Sequence, residues 1–368
     1  MSKTQHHKFG KIRRKWNEPV SNPPKGREAY LPLPPKTKTD LTLELETILP
    51  GINDELKKTG KLVFHMVGDT GGIHGTETQE ALAAAMESQL VEGPERPRFL
   101  YHLGDVVYFN GQPDGYQSQF YEPYQHLDYP IFAIPGNHDC GGDPKLWAKD
   151  GANDGTTHPL KGFMDNFCSP RAENLFKHRT TMTQPYCYWT LKTDMFSIIG
   201  LNANVDGLLD PPGTTEQQAY LKEELAYLHR PLVAVHHPPY SLDANHGGYQ
   251  AIVDALEPCH DPAGVFTGHV HNYQRFSKES PNSTGIPYVV AGAGGYANNA
   301  RAMHKMPKEL AGSHQPIQTT VSGVSLQQWN YTSPGFLRIT ATWAGFKGEY
   351  FVVPFGTEEA QLFDVFTF

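Results

Sequence analysis

The side chains of this chain that could do metal-dependent chemistry sit in five short polar segments: Asp69, Asp105, Asn137 with His138, His236 with His237, and His269 with His271. Carboxylate and amide oxygens are hard donors and imidazoles are borderline ones, so the set suits divalent or trivalent cations. A hydrolase with two cations needs such donors converging from several loops, with one carboxylate bridging ions roughly 3.5–4 Å apart. Taken singly, each segment has an ordinary explanation. Asp-x-Gly and Gly-Asn are common turns, and paired histidines occur in solvated loops. The ordered set is more specific than any member of it.

Each segment follows a short apolar run, at residues 62–67, 99–103, 131–134, 232–235 and 264–266, with a further run at 196–201 before Asn202. Such runs, closed by Gly-containing turns, read as buried strands feeding loops. Amphipathic stretches at 77–91, 117–126, 215–228 and 249–256 read as helices between them. Strand, loop and helix alternate, which predicts an α/β sandwich with the polar residues gathered beyond the strand ends. Residues 336–342 and 349–353 read as a closing β-hairpin, and residues 288–297 as a strand running into Ala-Gly-Ala-Gly-Gly-Tyr. The glycines there would permit close backbone packing.

Residues 1–40 are polar and Pro-rich and predict an extended surface arm. Near-helical spacing over 41–58 is broken by Pro50-Gly51. The expected division is an N-terminal extension with a short helix over 1–58 and a catalytic unit over 59–368.

With 38% hydrophobic residues, 19% charged residues, 35 Gly and 30 Pro, the chain of 368 residues has the composition of a loop-rich globular protein. Its net charge of −8, with one short basic block at Lys11-Ile12-Arg13-Arg14-Lys15, gives no electrostatic footprint for nucleic acid. An anionic substrate would then need local positive charge, which bound cations supply. The four cysteines, Cys140, Cys168, Cys187 and Cys259, form no Cys-x-x-Cys pair. That excludes a structural zinc knot and leaves room for one disulfide. No apolar run reaches the length of a signal peptide or a membrane span, so the expectation is a cytoplasmic protein with no membrane partner.

The five segments, Gly-Asp-Thr-Gly (68–71), Gly-Asp-Val-Val-Tyr (104–108), Gly-Asn-His-Asp (136–139), Val-Ala-Val-His (233–236) and Gly-His-Val-His (268–271), resemble the ordered motifs of calcineurin-like metallophosphoesterases. Within that superfamily they resemble the purple acid phosphatases. Many members carry Asp-x-His in the first motif, whereas position 71 here is Gly. Tyr108 stands where purple acid phosphatases place an iron-binding phenolate. The resemblance implies a four-layer α/β/β/α sandwich with two mixed sheets. It also implies a first cation, Fe(III), held by Asp69, Asp105, Tyr108 and His271. A second, divalent cation (Fe, Zn or Mn) would be held by Asp105, Asn137, His236 and His269. His237 falls at the variable position that follows the ligand.

The implied activity is hydrolysis of phosphate monoesters, small or on phosphoproteins, by hydroxide that the two cations make available. The alternatives are a phosphodiesterase on the same scaffold and a non-catalytic module for phosphorylated ligands. His138 is the first candidate for protonating the leaving group. His246 is the second, since Tyr-Ser-Leu-Asp-Ala-Asn-His-Gly-Gly (240–248) resembles the segment that supplies a substrate-side histidine in animal-type enzymes. His74, also a candidate for the pocket border, matches no ligand position and is expected to be a supporting or structural residue. Gly-Asp-Val-Val-Tyr-Phe-Asn-Gly resembles the smaller, animal-type enzymes, and no plant-like β-domain precedes the first motif. Residues 298–330 are polar and His-containing, with the character of a flap near the site.

Overall fold

Two mixed sheets face each other, built from strands β1 (Thr42–Glu44), β2 (Lys61–Val67), β3 (Pro97–His102), β4 (Ile131–Ala133), β5 (Trp189–Lys192), β6 (Ser197–Leu201), β7 (Pro231–Val235), β8 (Gly264–Thr267), β9 (Tyr273–Ser280), β10 (Ser283–Ala291), β11 (Ile317–Gln318), β12 (Val324–Asn330), β13 (Gly335–Thr342), β14 (Phe346–Val352) and β15 (Gln361–Thr367). The computed structural model describes residues 30–140, 160–175, 179–204, 207–281, 283–310 and 315–368. One sheet has the order β1-β5-β6-β7-β8-β10-β9-β12-β11 and the other β15-β14-β13-β2-β3-β4. β2, β3 and β4 run parallel in the smaller sheet, as do β6, β7 and β8 in the larger, so six C-terminal strand ends open onto shared loops.

The unbroken apolar runs follow from burial on both faces. Along β2, Leu62, Phe64 and Met66 enter the core between the sheets, while Val67 joins an outer layer. On β7, Leu232 and Ala234 face inward, and Val233 and Val235 face out. Phe64 stacks between Phe99 and Phe196 at 4.8 and 5.4 Å, and burial of such a ring contributes about 2–3 kcal/mol. Helices α1 (Leu45–Ile48) and α2 (Ile52–Thr59) close one end of that core through Leu45, Ile52 and Leu56. Outside the smaller sheet lie α3 (Glu77–Glu87) and α4 (Lys161–Phe167). Outside the larger lie α5 (Glu216–Tyr227) and α6 (Gln250–Leu256). The result is the expected α/β/β/α order.

The strands β2, β3, β4, β6, β7 and β8 fall at the predicted runs to within two residues at each end. Several readings change. The helix expected over 117–126 is a single wide turn at Gln117–Tyr121, where Glu122 N donates to Gln117 O at 3.0 Å. That turn presents the buried Gln119 amide to both backbone groups of Tyr108, at 2.9 and 2.8 Å. The predicted hairpin is real but not the closing element, since β15 pairs outside β14.

Residues 42–58, grouped by sequence with the N-terminal extension, supply β1 to the larger sheet and side chains to the core. Of the arm before them, the described residues 30–40 include side chains packed on the body of the fold. Leu31 exchanges two hydrogen bonds of 2.9 Å with the Asn204 side chain, and Pro34 is buried under Tyr186. The basic block at 11–15 and residues 311–314 lie outside the described residues. All four cysteines are free thiols, so the room left for a disulfide is not used.

His65, on the outward face of β2, bonds Tyr129 Oη at 2.9 Å and Gln89 Oε1 at 3.1 Å, and burial lowers its pKa to about 3. A buried neutral histidine takes up a proton on unfolding. Its stabilising effect is therefore complete above about pH 6.5 and is lost progressively as pH falls toward 3. Urea unfolding at pH 7 and pH 5 is expected to differ by about 2 kcal/mol on this account. A His65→Asn variant is expected to lose that share of the pH dependence, and an unchanged slope would contradict it.

Candidate metal centre

The first motif leaves β2 and the last leaves β8, and short backbone bonds lace the two sheets together where they meet. Gly68 N donates to Ala291 O at 3.0 Å and Tyr296 N to Asp69 O at 3.0 Å. The expectation of close packing in Ala-Gly-Ala-Gly-Gly-Tyr holds at Gly294, where a Cβ would lie 2.7 Å from Thr70 Cγ2 and would strike Gly68 O. Three of the candidate donors, Asp69, Asp105 and His269, hold left-handed backbone with φ of 60°, 55° and 67°. Such conformations cost a non-glycine residue about 1 kcal/mol or more and cluster where side chains must be aimed.

All seven predicted ligand side chains converge. Tyr108 Oη lies 3.3 Å from Asp69 Oδ1, 3.0 Å from Asp105 Oδ2 and 3.3 Å from His271 Nε2. Asn137 Oδ1 lies 3.1 Å from His236 Nε2 and 3.0 Å from His269 Nδ1. Asp105 belongs to both groups, since its Oδ2 is also 3.3 Å from His236 Nε2.

Outer contacts fix the rings. His236 Nδ1–H donates to Leu103 O at 2.8 Å, and His269 Nε2 meets Tyr249 Oη at 2.9 Å. The Asp69 carboxylate accepts from His269 N at 2.8 Å, tying the first motif to the last. Asp139, the final residue of Gly-Asn-His-Asp, accepts from Gly136, Val106 and Val107 N–H at 2.9–3.1 Å, so the second and third motifs are bound into one block. Burial and the nearby Asp105 charge raise its pKa to about 7.

The donor set is electrostatically incomplete by itself, and the residues fit a pair of cations. Burial, reinforced by Asp105, pushes the Asp69 carboxyl well above its usual range. Burial opposes ionisation of Asp105 too, but His236 and His138 outweigh it and hold this carboxyl well below its usual range. Burial likewise opposes charge on His236, yet Asp105 and Asp69 raise its imidazole to about 9, making it the internal counter-ion. Burial and the same two aspartates push the Tyr108 phenol well up, while burial pushes His269 and His271 down. A multivalent cation would relieve each of these conflicts, by pairing with both carboxylates, releasing the phenol proton and using the imidazoles in their neutral form.

Gly71 and Tyr108 prove to be one structural choice. A Cβ at position 71 would lie 2.7 Å from Tyr108 Cδ2, 2.6 Å from Gln119 Oε1 and 2.9 Å from Val106 O. The phenol ring fills the space a side chain at 71 would need.

A model of the calcineurin-like phosphoesterase domain matches residues 62–273. The chain belongs to the calcineurin-like phosphoesterases. No curated protein sequence matches it. Solved structures that share this phosphoesterase fold include the following two. A purple acid phosphatase from yellow lupin (Lupinus luteus) seeds aligns with a TM-score of 0.56 and 18% identity over 83% of this chain and 53% of its own. This phosphoesterase therefore spans about half the length of the lupin enzyme. GAP50, described as the anchor in the inner membrane complex of Plasmodium, aligns with a TM-score of 0.53 and 12% identity over 83% of this chain and 89% of its own. No helix among the described residues is long and apolar enough to cross a membrane.

Both predicted acid histidines of this phosphoesterase border the cluster, from different sides. His138 packs on the Tyr108 ring at 4.4 Å, and its Nδ1–H donates to Phe109 O at 2.8 Å. His246 approaches the His269 ring at 5.7 Å, with its Nδ1 engaged by Asp243 Oδ1 at 3.0 Å. His74 is exposed at the rim and reaches Tyr296 Oη at 3.4 Å.

Sequence reasoning passed over Tyr296, stacked 4.0 Å from Tyr108, and Tyr249 and His304, which touch His269 and His271. Tyr296 closes the Gly-rich stretch already singled out, which was its one signal. His304 lies in the His-containing segment 298–330 read as a flap near the site, but without periodicity nothing singled out the residue itself.

Proposed function

We propose that this chain is a metal-dependent phosphomonoesterase. Asp69, Asp105, Tyr108 and His271 would hold Fe(III), and Asp105, Asn137, His236 and His269 a divalent iron, zinc or manganese ion. The observation that carries this reading is the placement of Asp105 Oδ2, 3.0 Å from the Tyr108 hydroxyl and 3.3 Å from His236 Nε2, where one carboxylate serves both donor groups. A phenolate is a hard anionic donor and favours a trivalent ion, whereas the amide–imidazole set favours a divalent one. When bound, such a pair supplies Lewis-acid charge for phosphoryl oxygens and a nucleophile near neutral pH.

The remaining work falls to this chain's own residues. His138 and His246 each have Nδ1 engaged, which leaves Nε2 to carry a proton to the leaving oxygen of the ester. Backbone bonds from His138 N to Asp105 Oδ1 at 2.9 Å and from His269 N to Asp69 keep those carboxylates aimed inward before substrate arrives. His74 and Tyr296 form an aromatic rim against which the organic part of the ester would rest.

Turnover of p-nitrophenyl phosphate and its bis ester, compared as kcat/KM, tests the assignment. The monoester is expected to be faster by about tenfold or more, a difference of roughly 1.4 kcal/mol in transition-state binding. Faster diester hydrolysis would favour a phosphodiesterase. Phosphate binding with no turnover of either ester would favour the non-catalytic module, a reading raised by GAP50, the Plasmodium anchor that shares the fold.

A further inference from the structure

Beside the metal centre, three imidazoles form a column. His304 stacks on His246 with centroids 4.1 Å apart and planes 5° from parallel, and on its other side meets His271 at 4.2 Å and 21°. The segment carrying His304 is stitched to both neighbours. His271 N donates to His304 Nδ1 at 3.1 Å, Asn272 Nδ2 to His304 O at 3.2 Å, and Ala244 N to Lys305 O at 2.8 Å. Met303 and Met306, buried on either side, anchor the segment in two separate apolar clusters. On the far side of the column, the buried Asp243 carboxylate takes His246 Nδ1 and the backbone N–H groups of Asn245 and His246 on one oxygen, at 2.7–3.0 Å.

Asp243, His246 and His304 also offer ligand atoms within 4.8 Å of one another, the spacing of a third cation site. Ring geometry argues against that use. Imidazole lone pairs lie in the ring plane, so two rings stacked 5° from parallel aim their nitrogens side by side rather than at one point. Parallel faces in contact are instead the arrangement of an aromatic platform.

We propose that His304 is a positioning residue. Its ring fixes the plane of His246 relative to His271, while Asp243 fixes which nitrogen of His246 is free, so that Nε2 is aimed at the leaving oxygen. This rests on the reading of His246 as a substrate-side acid. The spacing between His246 and His271 is then set by the thickness of one aromatic ring.

A positioning role has a signature that general damage lacks, because the need for a proton grows with the basicity of the leaving group. His304→Ala is expected to lower kcat about 10- to 30-fold for an alkyl phosphate such as glycerol 2-phosphate, and less than about threefold for p-nitrophenyl phosphate, with KM little changed. His304→Phe keeps a flat ring without nitrogens and is expected to recover most of the alkyl-ester rate. The double variant with His246→Ala is expected to be no worse than His246→Ala alone.

Equal loss on both esters, no recovery with Phe, or multiplicative loss in the double variant would overturn the proposal. So would a third bound zinc per chain in the parent protein that disappears in His304→Ala. Proton NMR of His246 in the zinc-supplied full chain provides a readout independent of turnover. Its ring resonance should carry a ring-current shift that vanishes with Ala at 304 and persists with Phe, and an unmoved resonance would also overturn the proposal. A parent protein that hydrolyses neither ester withdraws the phosphatase reading, while the NMR comparison still decides the column.

Discussion

Asp105→Asn should leave a folded protein that retains less than half of its bound metal and hydrolyses p-nitrophenyl phosphate about 10³-fold more slowly, a loss of ~4 kcal/mol. The substitution keeps the side-chain shape and removes one negative charge at the point where both donor groups meet. Asp105 Oδ2 faces Tyr108 Oη and His236 Nε2, and Oδ1 accepts from His138 N at 2.9 Å. An amide in its place would hold neither cation by charge, and its NH₂ group would direct hydrogens at one set of partners. Elemental analysis with circular dichroism on the same sample separates metal loss from unfolding. A variant that keeps two metals and full turnover would refute the shared-carboxylate arrangement.

On the proposed iron–phenolate reading, the iron-loaded parent protein is expected to show a visible ligand-to-metal absorption band, and Tyr108→Phe to abolish it and to weaken Fe(III) retention about 100-fold or more. The ring itself is held without its hydroxyl, between His138 at 4.4 Å and Tyr296 at 4.0 Å, so phenylalanine fits the same slot. What disappears is one oxygen ringed by Asp69, Asp105 and His271. An absorption spectrum of equal iron content decides the matter. A band that survives the substitution would assign the colour, and the first cation, to another donor set.

The ligand-bearing loops were legible because both faces of their strands are buried, which writes each strand as an unbroken apolar run ending in a turn. Gly71 and Tyr108 were legible as a pair, and a Cβ at 71 meeting the Tyr108 ring at 2.7 Å gives the physical reason. The turn at 117–121 was misread because Gln119 looks like a surface residue of an amphipathic helix, whereas it is buried against Tyr108 backbone. β5, β9, β12 and β15 were missed because their apolar patterns are short or interrupted, as in Tyr273-Gln-Arg-Phe-Ser-Lys-Glu-Ser280, where one end of the strand is only partly buried. The segment of His304 was legible as a His-containing flap near the site, but the residue itself was not. Its place is set by Met303, Met306 and backbone bonds from distant loops, none of which leaves a local period.

The left-handed backbone at Asp69, Asp105 and His269 bears on how such a sequence can drift. Glycine would relieve the backbone strain at each position, at the cost of the hydrogen bonds that the Asp69 and Asp105 carboxylates accept. A descendant released from binding cations should therefore show the change here first, as glycine or asparagine at strand ends that otherwise keep their apolar runs. An Asp, an Asp and a His held together at these sites instead give up conformational ease at three strand ends to aim three side chains at one place.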